Sequence, residues 1–472
     1  MGNIKFTKIS KPKILLIPYP ALGHVTPMLN LASILLARGF QPVLVTPEFI
    51  HRLIVSGRDP NDGVWCMSIP DGPAKEAAAR DFFGIEKAME DTMPFHLERL
   101  VYEMVDDKDR GSRVVCMVVD LLASWAIEVA NRYRIPVAGF WPAMLATYRL
   151  IAGIPDMVRG GIISDSGCPK HLGSTTVSLH DNQPLLCAEE LPWLIGNLTA
   201  RKARFNFWKR TLDRSKTLPW LLVNSFPDET SGDCNDKQEH FSHYNHHQSQ
   251  LVFPVGPLIK QATATKNPSF WEEDRSCVEW LGKQKPESVV YISFGSWVSP
   301  IGEAKLKNLA LALEASSRPF IWVLAQAWRD ELPNGFLERV SEQGKVVSWA
   351  PQMEILQHSA VGCYLTHCGW NSTMEAVECQ KRSLCFPVAG DQFMNCAYIV
   401  KVWKIGVQIN NGFAKEEIEE GVRKVMEDDG GEMKKSLMKL RGKMTGEEAS
   451  SRVTENLTEF LDSIMKQTGL VS

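Results

Sequence analysis

Three stretches of this 472-residue chain carry residue types at spacings that could do chemistry. In "ILLIPYPALGH" a histidine, His24, follows a short apolar run, and in "VVCMVVD" a carboxylate, Asp120, ends another. Imidazole titrates near neutrality and suits removal of a hydroxyl proton. A carboxylate behind it would fix its tautomer and stabilise its charged form. The third stretch is "GCYLTHCGWNSTMEAVE", Gly362 to Glu378, where an apolar run stops at His367. Ser372 and Glu375 spell the S-x-x-E capping box, so a helix is expected to begin there with its unpaired N–H groups open to phosphate. Gly369 would let the backbone approach that anion closely, and His367 would donate to it. The same residues also suit plainer roles: a capped helix with Trp370 in the core, a loop histidine capping the next helix, and Asp120 as an N-cap.

Other ligand chemistries find less support. Alternation along a strand puts Cys363 on the opposite side from His367 and Cys368 at its end, and no second ligand pair follows at finger spacing, so no metal is expected. No strand is followed by G-x-G-x-x-G, the dinucleotide fingerprint, which argues against a nucleotide-dependent oxidoreductase. Asp107-Lys108-Asp109 spells DxD, but inside the charge run "DDKDR" it reads as a solvated turn. Four of the 11 histidines fall between Ser231 and Gln250, a polar stretch that reads as a surface loop.

The elements that must position these residues repeat as strand then helix. Lys13–Ile17, Gln41–Pro47, Arg113–Asp120 and "PVAGFWP" read as strands in the first half. Ser288–Ser296, Phe320–Leu324, Lys345–Trp349, Gly362–Thr366 and Ser383–Pro387 do so in the second. Thr26 and Pro27 are expected to cap and open the first helix. Near-continuous apolar strands alternating with helices imply an α/β chain with two doubly wound, Rossmann-like parallel sheets, whose ligands lie beyond the carboxyl ends of the strands. The length suits two domains. The expected division is 1–252, a linker at 253–275, a second domain at 276–450, and a C-terminal helix, 451–472, packing back on the first domain. A net charge of -3 excludes a broad nucleic-acid or anionic-membrane footprint. No apolar run is long enough for a signal or a span, and the 11 scattered cysteines suit reduced thiols, so a cytoplasmic monomer is expected.

The 44 residues from Trp349 to Gln392, "WAPQMEILQHSAVGCYLTHCGWNSTMEAVECQKRSLCFPVAGDQ", closely resemble the secondary-product box of plant family-1 UDP-glycosyltransferases. The likeness extends to "PYPALGHVTPMLNLA", "VVDLLASWA", "PVGPL", "YISFGSW" and "LPNGF", and so over nearly the whole chain. It implies the GT-B fold: two facing Rossmann-like domains with a cleft between them. It implies Trp349 stacked on uracil with the Ala350 backbone at its edge, and Gln352 and Glu375 on the ribose. It also implies His367, Asn371, Ser372 and Ser296 on the diphosphate, with Gly369 close by, and Trp370, Asp391 and Gln392 on the sugar, a pattern associated with UDP-glucose as co-substrate.

The expected reaction is then a metal-independent, inverting transfer from UDP-glucose, with His24 as general base assisted by Asp120. The acceptor is expected to be a small lipophilic molecule, lined by Phe83, Trp141, Met144 and Trp193. Another UDP-sugar, a C- or N-glycoside, or a UDP-sugar-binding protein without turnover are the alternatives. The chain departs from the family's usual residues at Leu22, Pro142 and Ala325.

Overall fold

The computed structural model describes residues 11–56, 62–72, 81–106, 113–170, 176–177, 184–227, 229, 250–259, 272–295, 301–410 and 412–469. Ser296, the DxD triplet, nearly all of the histidine-rich stretch and most of the expected linker lie outside them. Seven parallel strands form the first sheet: β1 (Lys13–Ile17), β2 (Gln41–Pro47), β3 (Trp65–Ile69), β4 (Val114–Asp120), β5 (Val137–Trp141), β6 (Trp220–Val223) and β7 (Leu251–Pro254). Six form the second: β8 (Val289–Ser293), β9 (Phe320–Val323), β10 (Gly344–Val347), β11 (Val361–Thr366), β12 (Arg382–Cys385) and β13 (Gly406–Gln408). Their orders are β3-β2-β1-β4-β5-β6-β7 and β10-β9-β8-β11-β12-β13. Each therefore reverses direction beside its first strand, the topological switch at which open α/β sheets bind ligands.

The continuous apolar strands follow from burial on both faces. Leu15 and Ile17 of β1 face one cluster, while Ile14 and Leu16 face another with Met28 and Leu35 of the first helix. The last helix, Glu447–Gln467, adds Leu457, Phe460 and Ile464 to that second cluster, with the Phe460 ring against Trp220 and Phe253. The second sheet repeats the pattern: Val290 and Ile292 face one layer, Val289 and Tyr291 the other. The two halves are not separate bodies, since Tyr19 and Trp125 share a cluster with Cys368, Trp370 and Met374.

Two local readings of the sequence are corrected. The first helix does not open at Thr26-Pro27 but at Leu22, with Ala21 as N-cap, and runs to Ala37 with Pro27 inside it. His24 therefore sits in the first helical turn rather than in a loop. The helix after β11 starts at Trp370, with Gly369 as N-cap, so Ser372 is its third residue and Ser372–Glu375 is no capping box. Strands β3, β6, β7 and β13 were not legible: β3 mixes Cys, Met and Ser, β6, β7 and β13 have only three or four residues, and β7 runs into the expected linker at 253.

Candidate active site

The carboxyl ends of β1 and β4, neighbours at the first switch point, carry the two groups singled out as a proton relay. His24 Nδ1 lies 2.7 Å from Asp120 Oδ2, with the His24 side chain 21% exposed and Asp120 wholly buried. The other carboxylate oxygen accepts the Leu122 N–H at 2.9 Å, so Asp120 also caps the short turn that follows. Cap and histidine partner are one residue, one oxygen for each task. With Nδ1–H held by the carboxylate, Nε2 is the lone-pair nitrogen and the partly exposed edge of the ring. Tyr19 flanks it, ring centroids 5.0 Å apart.

Opposite stand the ends of the second sheet. Cys368 adopts φ 65°, a left-handed conformation that turns the chain from β11 into the Trp370–Glu378 helix. Gly295, after β8, also has positive φ, and a Cβ at Gly295 or at Gly369 would overlap the His367 ring. Both glycines are thus demanded by the imidazole between them. Burial lowers the His367 pKa to about 4, with a hydrogen bond to the Ser293 backbone opposing, so the ring is neutral at physiological pH.

Behind the helix, Gln352 ties the site together. Its Oε1 accepts the hydroxyls of Tyr291 and Tyr364 at 3.1 and 3.2 Å, and its Nε2 donates to Ser372 Oγ at 3.2 Å and Glu375 Oε2 at 2.6 Å. Trp349 is half-buried and lines a cavity of about 930 Å³ at the ends of β8–β10, with Phe294, Leu324, Ala325 and Trp328. Ala350 is buried beside it. Gln392 Oε1 folds back onto the Val388 and Ala389 N–H groups at 2.8 and 3.0 Å, which leaves its amide N–H₂ as the free end. Asp391 accepts from Asn395 at 2.9 Å; desolvation raises its pKa, while that bond and the nearby His24 charge oppose.

Two contacts cross between the halves. Trp370 is 4% exposed and its indole N–H donates to the Asn224 carbonyl at 2.6 Å, so its ring faces the core and only its backbone faces the cleft. Asn371 Nδ2 donates to the Gly23 carbonyl at 2.9 Å. Gly23 is four residues before Pro27, which has no N–H, so the ordinary helical donor for that carbonyl does not exist and Asn371 supplies one.

The expected acceptor residues divide. Phe83 is 38% exposed, whereas Met144 and Trp193 are fully buried and Trp141 is 3% exposed. Trp193 donates to the Gly167 carbonyl and Trp141 to that of Met144, at 2.7 and 2.8 Å. These three are buried, and of the four expected acceptor residues only Phe83 is exposed. Several participants were missed. Asn224 follows the end of β6 and was signalled by the same strand-end rule that found His24, but β6 itself was not recognised. Tyr19 had no distinguishing signal. Cys363 stays apart, its thiol pushed up to about 12 by burial, while Cys368, Cys385 and Cys396 place their sulfurs within 4.8 Å of one another, a buried trio divided among three elements.

Residues 267–443 match the family model described as "UDP-glucoronosyl and UDP-glucosyl transferase". UDP-glycosyltransferase 82A1 of Arabidopsis thaliana is 54% identical over 462 residues, 95% of this chain and 97% of that protein. Linamarin synthase 1 of Manihot esculenta is 30% identical over 475 residues, 96% and 95% of the two chains. Among solved structures, a UDP-glucose: anthocyanidin 3-O-glucosyltransferase in complex with UDP is similar at a TM-score of 0.80 and 25% identity, covering 97% of this chain and 100% of that one. None of the described helices is long and apolar enough to cross a membrane. With two facing sheets of GT-B type and an Arabidopsis relative similar over almost its full length, this chain belongs to the plant family-1 UDP-glycosyltransferases and is a glycosyltransferase enzyme.

Proposed function

We propose that the enzyme transfers glucose from UDP-glucose, with inversion and without a metal ion, to a hydroxyl of a small lipophilic acceptor, acting as a cytoplasmic monomer. The observation that carries this reading is the 2.7 Å contact between His24 Nδ1 and the buried Asp120. It orients Nε2 toward the cleft as a base and provides a counter-charge when the ring takes a proton. The acceptor oxygen bonds to the anomeric carbon as the bond from that carbon to the β-phosphate oxygen breaks. The acceptor proton passes to His24, and UDP leaves with the electron pair.

On this reading the donor lies along the second sheet: uracil on Trp349 and the Ala350 backbone, ribose at Gln352 and Glu375, and diphosphate at His367, Asn371, Ser372 and Ser296. The N–H groups opening the Trp370–Glu378 helix face the diphosphate with no charged side chain among them, and the helix end stabilises the charge that develops on UDP. The sugar meets Asp391, Gln392 and the Trp370 backbone. A neutral His367 lines the diphosphate without adding a cation that would hold UDP too tightly after transfer.

The test is UDP release from UDP-glucose over a panel of phenols, terpenoid alcohols and hydroxy acids, with His24→Ala alongside and UDP affinity measured by calorimetry. Turnover lost in the variant with UDP affinity intact is the expected result. A variant as fast as the parent would remove His24 as the base.

A further inference from the structure

The helix Leu198–Ser215 carries a row of cations, and two of its arginines are bound in ion pairs. Arg210 pairs with Glu86, and Arg214 with Glu90 and Glu128. Arg201 is exposed and donates to the Gly196 carbonyl. Arg204 is different. It is half-buried, forms no ion pair among the described residues, and has one long hydrogen bond, 3.4 Å, to the Ile195 carbonyl. Its guanidinium carbon lies 4.6 Å from the Phe82 ring centroid and 5.1 Å from that of Phe83, the exposed aromatic of the acceptor half.

Those two rings end a chain of aromatic contacts that begins at Trp141. Trp141 lies one residue beyond Phe140, the partner of Asp120 in the sheet register. From Trp141 the rings run to Trp208 at 6.0 Å, Phe207 at 5.7 Å, and Phe82 at 5.3 Å. On the near side the Arg204 charge is felt by Tyr19, which is in ring contact with His24. Arg204 thus stands at one end of an aromatic row, with its charge reaching Tyr19 beside His24. Asp81 and Glu86 also lie within its field, but Asp81 caps Gly84 and Glu86 is bound by Arg210. Partial desolvation with no bonded counter-ion is an unfavourable state for a guanidinium, and a carboxylate offered in its plane meets that need with two parallel hydrogen bonds.

We infer that Arg204 is an acceptor-recognition residue and that the enzyme's preferred acceptors are aromatic hydroxy acids, the ring lying along Phe82 and Phe83, the carboxylate held by Arg204, and a hydroxyl presented to His24. This rests on the acceptor site proposed above and narrows its substrate class. The product is a glucoside that retains its free carboxylate.

The experiment pairs acids with their own methyl esters: 4-hydroxycinnamate, caffeate, and the 2-, 3- and 4-hydroxybenzoates. UDP release is measured for the parent, Arg204→Met and Arg204→Lys, and the glucosides are identified by mass. Equilibrium dialysis of the acids with UDP present is run on the parent and on His24→Ala. The acids are expected to show KM values about 10- to 100-fold below their esters, the range of one charge-assisted contact. Arg204→Met is expected to erase that ratio, with Arg204→Lys in between. A calorimetric affinity for UDP equal to the parent's reports a folded variant. If no acid in the panel is bound or turned over better than its ester, or if Arg204→Met keeps the ratio, the inference falls and the reading of His24 stands. If His24→Ala turns over like the parent but acid binding still depends on Arg204, the base falls and this inference stands.

Discussion

The two sheets share one strand order and differ in how their carboxyl ends are furnished. The second sheet's candidate site is drawn mostly from 44 consecutive residues, Trp349 to Gln392, and its side chains already bond to one another: Gln352 alone joins Tyr291, Tyr364, Ser372 and Glu375. The first sheet's candidate site holds one polar pair, His24 and Asp120, in a largely aromatic and apolar setting. A polar ligand with many hydrogen-bonding groups needs a fixed lattice of partners. An apolar acceptor needs shape and one well-aimed base. The asymmetry implies that damage to the first half falls on kcat and acceptor choice, and damage to the second on donor binding and stability.

The sharpest break of that contrast is His24→Ala. It should lower kcat by about 10²- to 10⁴-fold, the span of positioned acid–base catalysis, and leave the calorimetric affinity for UDP unchanged. Asp120→Asn should slow turnover less, because it misorients the ring without removing it.

On the second side the largest effect is in stability and depends on pH. The His367 pKa is depressed from 6.5 to about 4 by burial, so between those values the unfolded chain holds a proton that the native chain refuses. Acidification therefore favours unfolding: stability present above pH 6.5 is lost as pH falls toward 4, by up to about 3 kcal/mol. His367→Gln, which cannot titrate, should flatten that part of the profile in urea melts from pH 7 to 4.5. A slope that survives the substitution would assign the acid sensitivity to other groups.

Gln352→Ala comes next. It removes an acceptor shared by two buried tyrosine hydroxyls and frees Ser372 and Glu375, for a loss of about 1–3 kcal/mol. Its KM for the UDP-sugar should rise, with acceptor KM unmoved. A rise in acceptor KM of the same size would mean the two sites are not furnished separately.

The same contrast explains what could be read from the sequence. The residues proposed for the donor could be picked out because most are contiguous and sit where strand ends must place them; even there the helix start was displaced, since Gly369 and not Ser372 is the cap. His24 and Asp120 were legible as strand-end polar residues, and the bond between them was a reasonable expectation from β1 and β4 lying side by side. The acceptor lining was not. Trp193 and Met144 differ from Phe83 only in burial, and burial depends on helix packing that no local pattern encodes. Arg204 is one cation in a helix with many, and only the fold separates it from its paired neighbours.

The smallest predicted effect concerns the seam itself. Pro27 leaves the carbonyl of Gly23, the residue before the base, without a helical donor, and Asn371 of the donor helix supplies one. If this bond registers one half against the other, Pro27→Ala should weaken it by giving Gly23 a competing N–H, and turnover should fall several-fold although the helix loses a poor former. Asn371→Ala should fall at least as far, because the amide proposed to meet the diphosphate goes with it. The informative quantity is the double variant. Once Asn371 is gone, Pro27→Ala has no cross-domain bond to disturb, so adding it should cost nothing further in kcat, a coupling that two independent effects would not show. Additive losses would make Pro27 a matter of the helix alone and leave the registration of the halves to Trp370 and Asn224.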